Sequence, residues 1–153
     1  MSLIKKFINY LLKIFNFKLI KINDQFSNSY RLVMAFKEKN IDFVFDVGAN
    51  EGQFVEDLRY YGFKKKVLSF EPVLSAHEKL KKNSMNDNKW DVYEPIALGK
   101  DNVSNTINVT KNSVSSSLLN ITTEHLENAP DSMIVKKQSV QEKKLDDIFF
   151  DLK

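Results

Sequence analysis

Apolar positions along the chain recur first at helical spacing and then as alternating strand-like and helix-like stretches. In "LIKKFINYLLKIFNF", Ile4, Phe7, Ile8, Leu11 and Phe15 share one helical face and Leu12 and Ile14 widen it, which predicts an amphipathic helix. "KLIKIN" follows as a strand or an extended tether. "SNSYRLVMAFKEKN" predicts a second helix, with Leu32, Val33 and Phe36 on one side and an end near Asn40. "FVFDV", Phe43 to Val47, is apolar on both faces, the pattern of a strand covered by helices on each side and paired along both edges. The next helix is expected from Gly52, with Phe54, Leu58 and Tyr61 turned inward and Gly62 in the left-handed position that ends helices. "KVLSFEP" reads as a second strand. "SAHE" opens a helix in which Ser75 caps an amide and Glu78 reaches back, and "WDVYEPIALG" reads as a third strand. Strand, helix, strand, helix, strand with short connections predicts an α/β fold: a right-handed parallel sheet with helices on both faces. Beyond it, "SNTINVT" and "MIVKKQSVQEKK" alternate polar and apolar residues and predict an insertion of exposed antiparallel strands. Asp146 and Asp147, ahead of "IFF", look like a helix start.

Composition narrows this picture. With 153 residues and 42% apolar content the chain is sized for one soluble domain with a real core. The absence of cysteine excludes disulfides and thiolate metal sites and makes a reducing cytosol the natural setting. The net charge of +3 matters less than its distribution: residues 1–23 carry five lysines and no acid, leaving 18 basic against 20 acidic residues in the remainder. With Arg31 and Arg59 as the only arginines, the chain lacks the basic face of a nucleic-acid binder. Lys5, Lys6, Asn9 and Lys13 interrupt the first apolar stripe, so that helix does not span a membrane, and no small-residue cleavage site follows it. Two readings of it stand. Either it docks on the domain or on a second subunit, or residues 3–17 lie on an anionic membrane surface, where lysines beside aromatics favour the interface. The corresponding locations are the cytoplasm and the inner face of the membrane.

The stretch "FVFDVGANEGQF" carries the chemistry. A buried strand running into a glycine turn and then a helix is the usual grip on a nucleotide-type cofactor, but Asn50 stands where a dinucleotide fold has its second glycine. Asparagine tolerates positive φ, so the turn survives, while its side chain fills space that a pyrophosphate needs. S-adenosylmethionine has no phosphate and presents a methionine tail to the turn and a ribose diol to the next strand. Glu71 ends the second strand, where a carboxylate can accept both ribose hydroxyl protons, and the crevice beyond such strand ends is the expected ligand site of an open α/β sheet.

"FVFDVGANEGQFVEDLRYYGFKKKVLSFEPVLSAHEKL", then "WDVYEPIALG", "NSVSSSLL" and "KKLDDIF", together resemble the FkbM family of S-adenosylmethionine-dependent methyltransferases, in order from about Ile41 to Phe149. The resemblance implies a Rossmann-like methyltransferase fold. Residues 41–153 would be the N-terminal portion of the methyltransferase domain, and residues 1–40 an N-terminal amphipathic helical segment. It implies that Asp46, Gly48, Ala49, Asn50 and Gly52 line the methionine end of the cofactor and that Gln53 borders it. By the same resemblance Glu71 holds the ribose diol, Pro72 shapes the adenine side, and Ala97 and Leu98 sit near the adenine or the sulfonium. The implied activity is O-methylation of a hydroxyl on a sugar, glycolipid, polysaccharide or polyketide-type acceptor.

Other candidates carry less. Ser115, Ser116 and Ser117 either hydrogen-bond an acceptor's hydroxyls, as the resemblance implies, or cap a helix suggested by "LLNITTEHLENA". His77 reads as a partly packed side chain, and His125 lies in a polar helical stretch. Asp146 either starts a helix or faces the site. No metal-ligand spacing is visible, and no residue stands out as the catalytic base. In the resembled family the L-D segment leads into a buried strand with a K-x-D-x-E-G motif that pairs with the first strand, and nothing here matches that motif. The expectation is therefore an incomplete domain, whose unpaired first-strand edge invites self-association or a partner chain. The rival to an enzyme is a non-catalytic cofactor-binding remnant or half-domain. A nicotinamide oxidoreductase, the other rival, is disfavoured by the missing G-x-G-x-x-G spacing.

Overall fold

The computed structural model describes residues 27–110 and 133–149, together with Ile8, Leu11 and Leu12, which are helical. The rest of the first predicted helix, the serine run Ser115–Ser117 and His125 lie outside the described residues.

Helix α1 (Asn28–Glu38) starts where the Ser27 hydroxyl accepts the Tyr30 amide, a standard N-cap. It ends at Asn40, whose φ of 53° lets the Ile41 N–H return to the Phe36 carbonyl at 2.9 Å. Strand β1 (Phe43–Val47), helix α2 (Gln53–Tyr60), strand β2 (Lys66–Phe70), helix α3 (Leu74–Ser84) and strand β3 (Trp90–Val92) follow. The three strands form one parallel sheet in the order β1-β2-β3, with Asp46 opposite Ser69 and Val47 opposite Phe70.

The period of two along β2 decides which residues meet. Val67 joins Val33 of α1, Val55 and Leu58 of α2, Leu80 of α3 and Trp90 in one cluster on the helical face. Leu68 and Phe70 point the other way, into a cluster with Ile96 and Ile148. On α2, Val55 and Leu58 are the buried pair, and Phe54 and Tyr61 pack at its margin, so the inward stripe is rotated from the predicted one. Each fully buried aliphatic side chain contributes about 1.5–3 kcal/mol through removal from water.

A second sheet is built from β4 (Ile96–Leu98), β5 (Val103–Thr110) and β6 (Ile134–Lys143) in the order β4-β6-β5, followed by the short helix α4 (Leu145–Phe149). β5 and β6 pair antiparallel as expected, while β4 and β6 run parallel. Asp146 and Asp147 occupy the first turn of α4.

Three expectations need correction. "WDVYEPIALG" is two strands in two sheets, because Pro95 has no N–H to continue the ladder on β2; pairing stops after the Tyr93 N–H bonds to the Ser69 carbonyl at 3.0 Å. β5 is not simply exposed: from Ile107 to Thr110 every residue is buried, and Ile107 and Val109 pack with Val73 and Ala76 of the first unit. Helix α3 has no side-chain cap from Ser75. Its N-cap is Val73, and its first amides find other acceptors, described below. Among the described residues β1 pairs only with β2, which leaves the unpaired first-strand edge that the missing motif predicts, with Val47 59% exposed. The apolar run of the strand by itself reports its faces and not its edges.

Candidate functional site

The carboxyl ends of β1 and β2 are joined by a tight set of hydrogen bonds. After Val47 the chain turns through Gly48 (φ 76°), Asn50 (φ 49°) and Gly52 (φ 102°), three positive-φ residues within five positions. The Gly48 and Ala49 amides both donate to the Phe70 carbonyl, at 2.9 and 3.0 Å, and the Gly52 amide closes the turn onto the Ala49 carbonyl at 2.8 Å. Asparagine is the non-glycine residue best suited to such a φ. Gly52 is required for a second reason: a Cβ there would lie 2.5 Å from the Trp90 ring and 3.0 Å from Leu80, so the start of α2 could not sit against β3 and α3. Around Gly48, by contrast, a Cβ would meet nothing within 4 Å, leaving open space in front of the turn.

Glu71 clips this turn to the next one. Its Oε2 accepts the Asn50 amide at 2.7 Å and its Oε1 the Val73 amide at 2.8 Å, and the residue is 5% exposed. Gln138 of β6 holds the same loop from the far side, its amide nitrogen donating to the Pro72 carbonyl at 2.8 Å and its oxygen accepting the Leu74 amide at 3.1 Å. These two residues satisfy the start of α3 that Ser75 leaves open.

Asp46, 7% exposed, lies beside the turn, and its Oδ2 accepts the Ser69 hydroxyl at 3.0 Å. Ser69 in turn accepts the indole N–H of Trp90 at 2.9 Å. Burial pushes the Asp46 carboxyl above its ordinary range, against the pull of Ser69. Burial also pushes Glu71 up; the Val73 and Asn50 amides and the nearby His77 oppose this, and the negative charge of Asp46 adds to it. Among the described residues no lysine or arginine compensates either carboxylate. The His77 Nε2–H donates to the Tyr93 carbonyl at 2.7 Å, which fits a packed, oriented side chain.

The structure thus brings together Asp46, Gly48, Ala49, Asn50, Gly52, Gln53, Glu71 and Pro72. Ala97 packs with Val73 and Ala76 beside the Glu71 loop, whereas Leu98 belongs to the opposite-face cluster with Phe70 and Ile148. The glycine after them is explained by packing, since a Cβ on Gly99 would run into the Glu142 side chain. Ser69, Trp90 and Gln138 are site-forming residues that the sequence reading missed. A serine inside "KVLSF" is a legible signal, because a buried hydroxyl needs a partner; nothing marked Gln138. A concavity of about 440 Å³ lies elsewhere, between the ends of α1 and α2, and is lined by Phe36, Phe63 and the lysines 37, 64 and 65. Both helices end there, so its lysines complement the negative ends of two helix dipoles.

The first sheet is thus a parallel α/β sheet with a positive-φ turn and a buried acidic strand end. The chain belongs to the Methyltransferase FkbM domain family, whose sequence pattern matches residues 46–153, from Asp46 through the whole second sheet. Its class is therefore methyltransferase. Comparison with curated proteins and with solved structures found no match.

Proposed function

We propose that this chain binds S-adenosylmethionine in the crevice at the carboxyl ends of β1 and β2. We assign it to O-methylation of a hydroxyl on a sugar, glycolipid, polysaccharide or polyketide-type acceptor, with the first sheet as the start of a Rossmann-like fold. The observation that carries the cofactor assignment is the pair of buried carboxylates, Asp46 and Glu71, without a lysine or arginine partner among the described residues. A pyrophosphate would add negative charge to two carboxylates already disfavoured by burial. A ligand with a sulfonium and an ammonium group brings the compensating charge.

The donor set fits that group. Asp46 and the Gly48–Gly52 turn would hold the methionine portion, which the open space before Gly48 admits. Each Glu71 oxygen accepts one backbone amide and retains a lone pair for a ribose hydroxyl. Pro72 would border the adenine. When bound, the cofactor supplies an electrophilic methyl group for in-line transfer, a reaction in which orientation provides much of the acceleration. The residues of this chain contribute that orientation, through a turn and a strand end clipped to one another. Ser115–Ser117 are assigned to the acceptor's hydroxyls on the family resemblance alone, and no base is assigned.

Titration calorimetry tests the cofactor assignment. Glu71→Ala is expected to weaken S-adenosylmethionine binding by about 1–3 kcal/mol, the cost of losing charge-assisted hydrogen bonds. Unchanged affinity would make Glu71 a structural clip only. Reduced nicotinamide dinucleotide, followed by its fluorescence, is expected not to bind.

The outer edge of β1 favours a second reading. Phe43 and Val47 are exposed on a strand with no second partner among the described residues. In that reading a strand from another copy or a partner chain completes the sheet, and the isolated chain binds cofactor but methylates little. No helix among the described residues is long and apolar enough to cross a membrane. For residues 3–17 we retain peripheral contact with an anionic membrane as a proposal, tested by flotation of wild type against a Phe7→Ser, Phe15→Ser variant.

A further inference from the structure

Three side chains on one face of the first sheet form a line that ends at the cofactor turn. Parallel pairing sets Asp46 opposite Ser69, and Ser69 opposite Val92, two residues after Trp90. Asp46, Ser69 and Trp90 therefore project from three adjacent strands to the same side. The direction of the hydrogen bonds is fixed by chemistry. An indole N–H can only donate, so Trp90 occupies a lone pair of the Ser69 hydroxyl, and the serine's single proton goes to Asp46 Oδ2. Ser69 is fully buried, in a strand whose other buried residues, Val67, Leu68 and Phe70, are apolar. A hydroxyl there has no water to satisfy it, so both of its bonds are part of the fold. Trp90 also reaches the turn directly, since its ring fills the space where a Gly52 Cβ would stand. The same indole thus supports the end of the glycine turn with its ring and the carboxylate beside that turn with its N–H.

We propose that Ser69 and Trp90 are positioning residues for Asp46, a relay from the third strand that fixes the orientation of the carboxylate at the cofactor turn. Its role in binding rests on the cofactor assignment made above. The relay has an electrostatic consequence. Burial drives the Asp46 carboxyl upward and the Ser69 hydroxyl is the group that opposes it, so removing the hydroxyl leaves Asp46 harder to ionise. The other charged groups bearing on the site are Glu71 and, through it, His77 on α3. Glu51, in the turn itself, is paired with Lys79 at 2.6 Å.

Two measurements on the full chain separate the relay from the cofactor assignment. The first needs no ligand: the carboxyl carbon of Asp46 is titrated by NMR in wild type, Ser69→Ala and Trp90→Phe. The midpoint should move to higher pH in Ser69→Ala, and less far in the same direction in Trp90→Phe, which keeps the serine but frees its hydroxyl. An unmoved midpoint in both variants overturns the relay whatever the protein binds. The second is calorimetry with S-adenosylmethionine across pH. Ser69→Ala should bind about tenfold more weakly, with the pH dependence of affinity displaced upward. Ser69→Cys, close in size and a weak donor, should recover part of both and serves if the alanine variant does not fold. Wild-type uptake of cofactor with unchanged affinity and pH profile in the serine variants overturns the role in binding. A wild-type protein that takes up none overturns the cofactor assignment and leaves the titration to judge the relay.

Discussion

The two ends of the first sheet use the same backbone device for different purposes. At the amino ends of the strands, Asn40 and Gly62 adopt positive φ to terminate α1 and α2. The two ends are alike: Ile41 N–H bonds to Phe36 O and Phe63 N–H to Leu58 O, both at 2.9 Å. At the carboxyl ends, Gly48, Asn50 and Gly52 adopt positive φ around two buried carboxylates. The first end is rimmed by exposed lysines over apolar rings, the second by polar groups that bond to one another away from water. Left-handed residues therefore do not mark a site by themselves; the burial of charge beside them does.

Gly52→Ala breaks this comparison most severely. It combines a φ of 102° with a Cβ 2.5 Å from Trp90, so a loss of about 2–5 kcal/mol is expected in denaturant unfolding, from backbone strain and overpacking together. Gly62→Ala, at φ 88° but with only the Lys37 ammonium at 4.0 Å, should lose about 1–2 kcal/mol. Equal losses would mean that Trp90 does not press on the turn.

The pH dependence of stability sharpens the contrast next. Asp46 and Glu71 are raised by burial, so the folded chain holds their protons more tightly than the unfolded one. Their contribution to stability is greatest below the ordinary carboxylate range and is lost as pH rises through it to their raised folded values. Asp87 behaves oppositely. Burial lifts it, but the Arg59 guanidinium at 2.6 Å and the Lys89 amide outweigh this and hold it low. Its contribution is present above the ordinary aspartate range and is lost as pH falls through its lowered folded value. Thermal melts over pH should show Asp46→Asn flattening the loss on the rising side and Asp87→Asn flattening the loss on the acid side. The reverse assignment would contradict the burial account. The smallest effect belongs to the lysines: Lys64→Ala and Lys65→Ala should change stability by no more than about 0.5 kcal/mol and leave cofactor affinity alone.

The parts of the molecule legible in the sequence were those set by local chemistry. The sequence alone places Phe43–Val47 and its glycine turn where they form, because an apolar run ending in glycines permits few alternatives. Asn50, expected to tolerate positive φ, adopts it. The break at Pro95 was available in the sequence but was overridden by the apolar run around it. The clip made by Glu71 was half legible: its place at a strand end was clear, whereas its two backbone partners depend on how two turns meet in space. Gln138, 66 residues from Pro72, was not legible at all, since an exposed-looking glutamine in an alternating strand carries no sign of what it will touch. A continuous apolar run such as that of β1 reports the faces of a strand and leaves its edges undetermined.

The central claim is that the cofactor enters at the carboxyl end of the sheet and not at the lysine-rimmed end. The chain has four glycines, 48, 52, 62 and 99, so a selectively labelled sample gives a spectrum with two reporters in the turn and two outside it. On addition of S-adenosylmethionine the amide signals of Gly48 and Gly52 should shift while that of Gly62 stays in place. Shifts confined to Gly62, or none at Gly48 and Gly52 under saturating cofactor, would contradict the account.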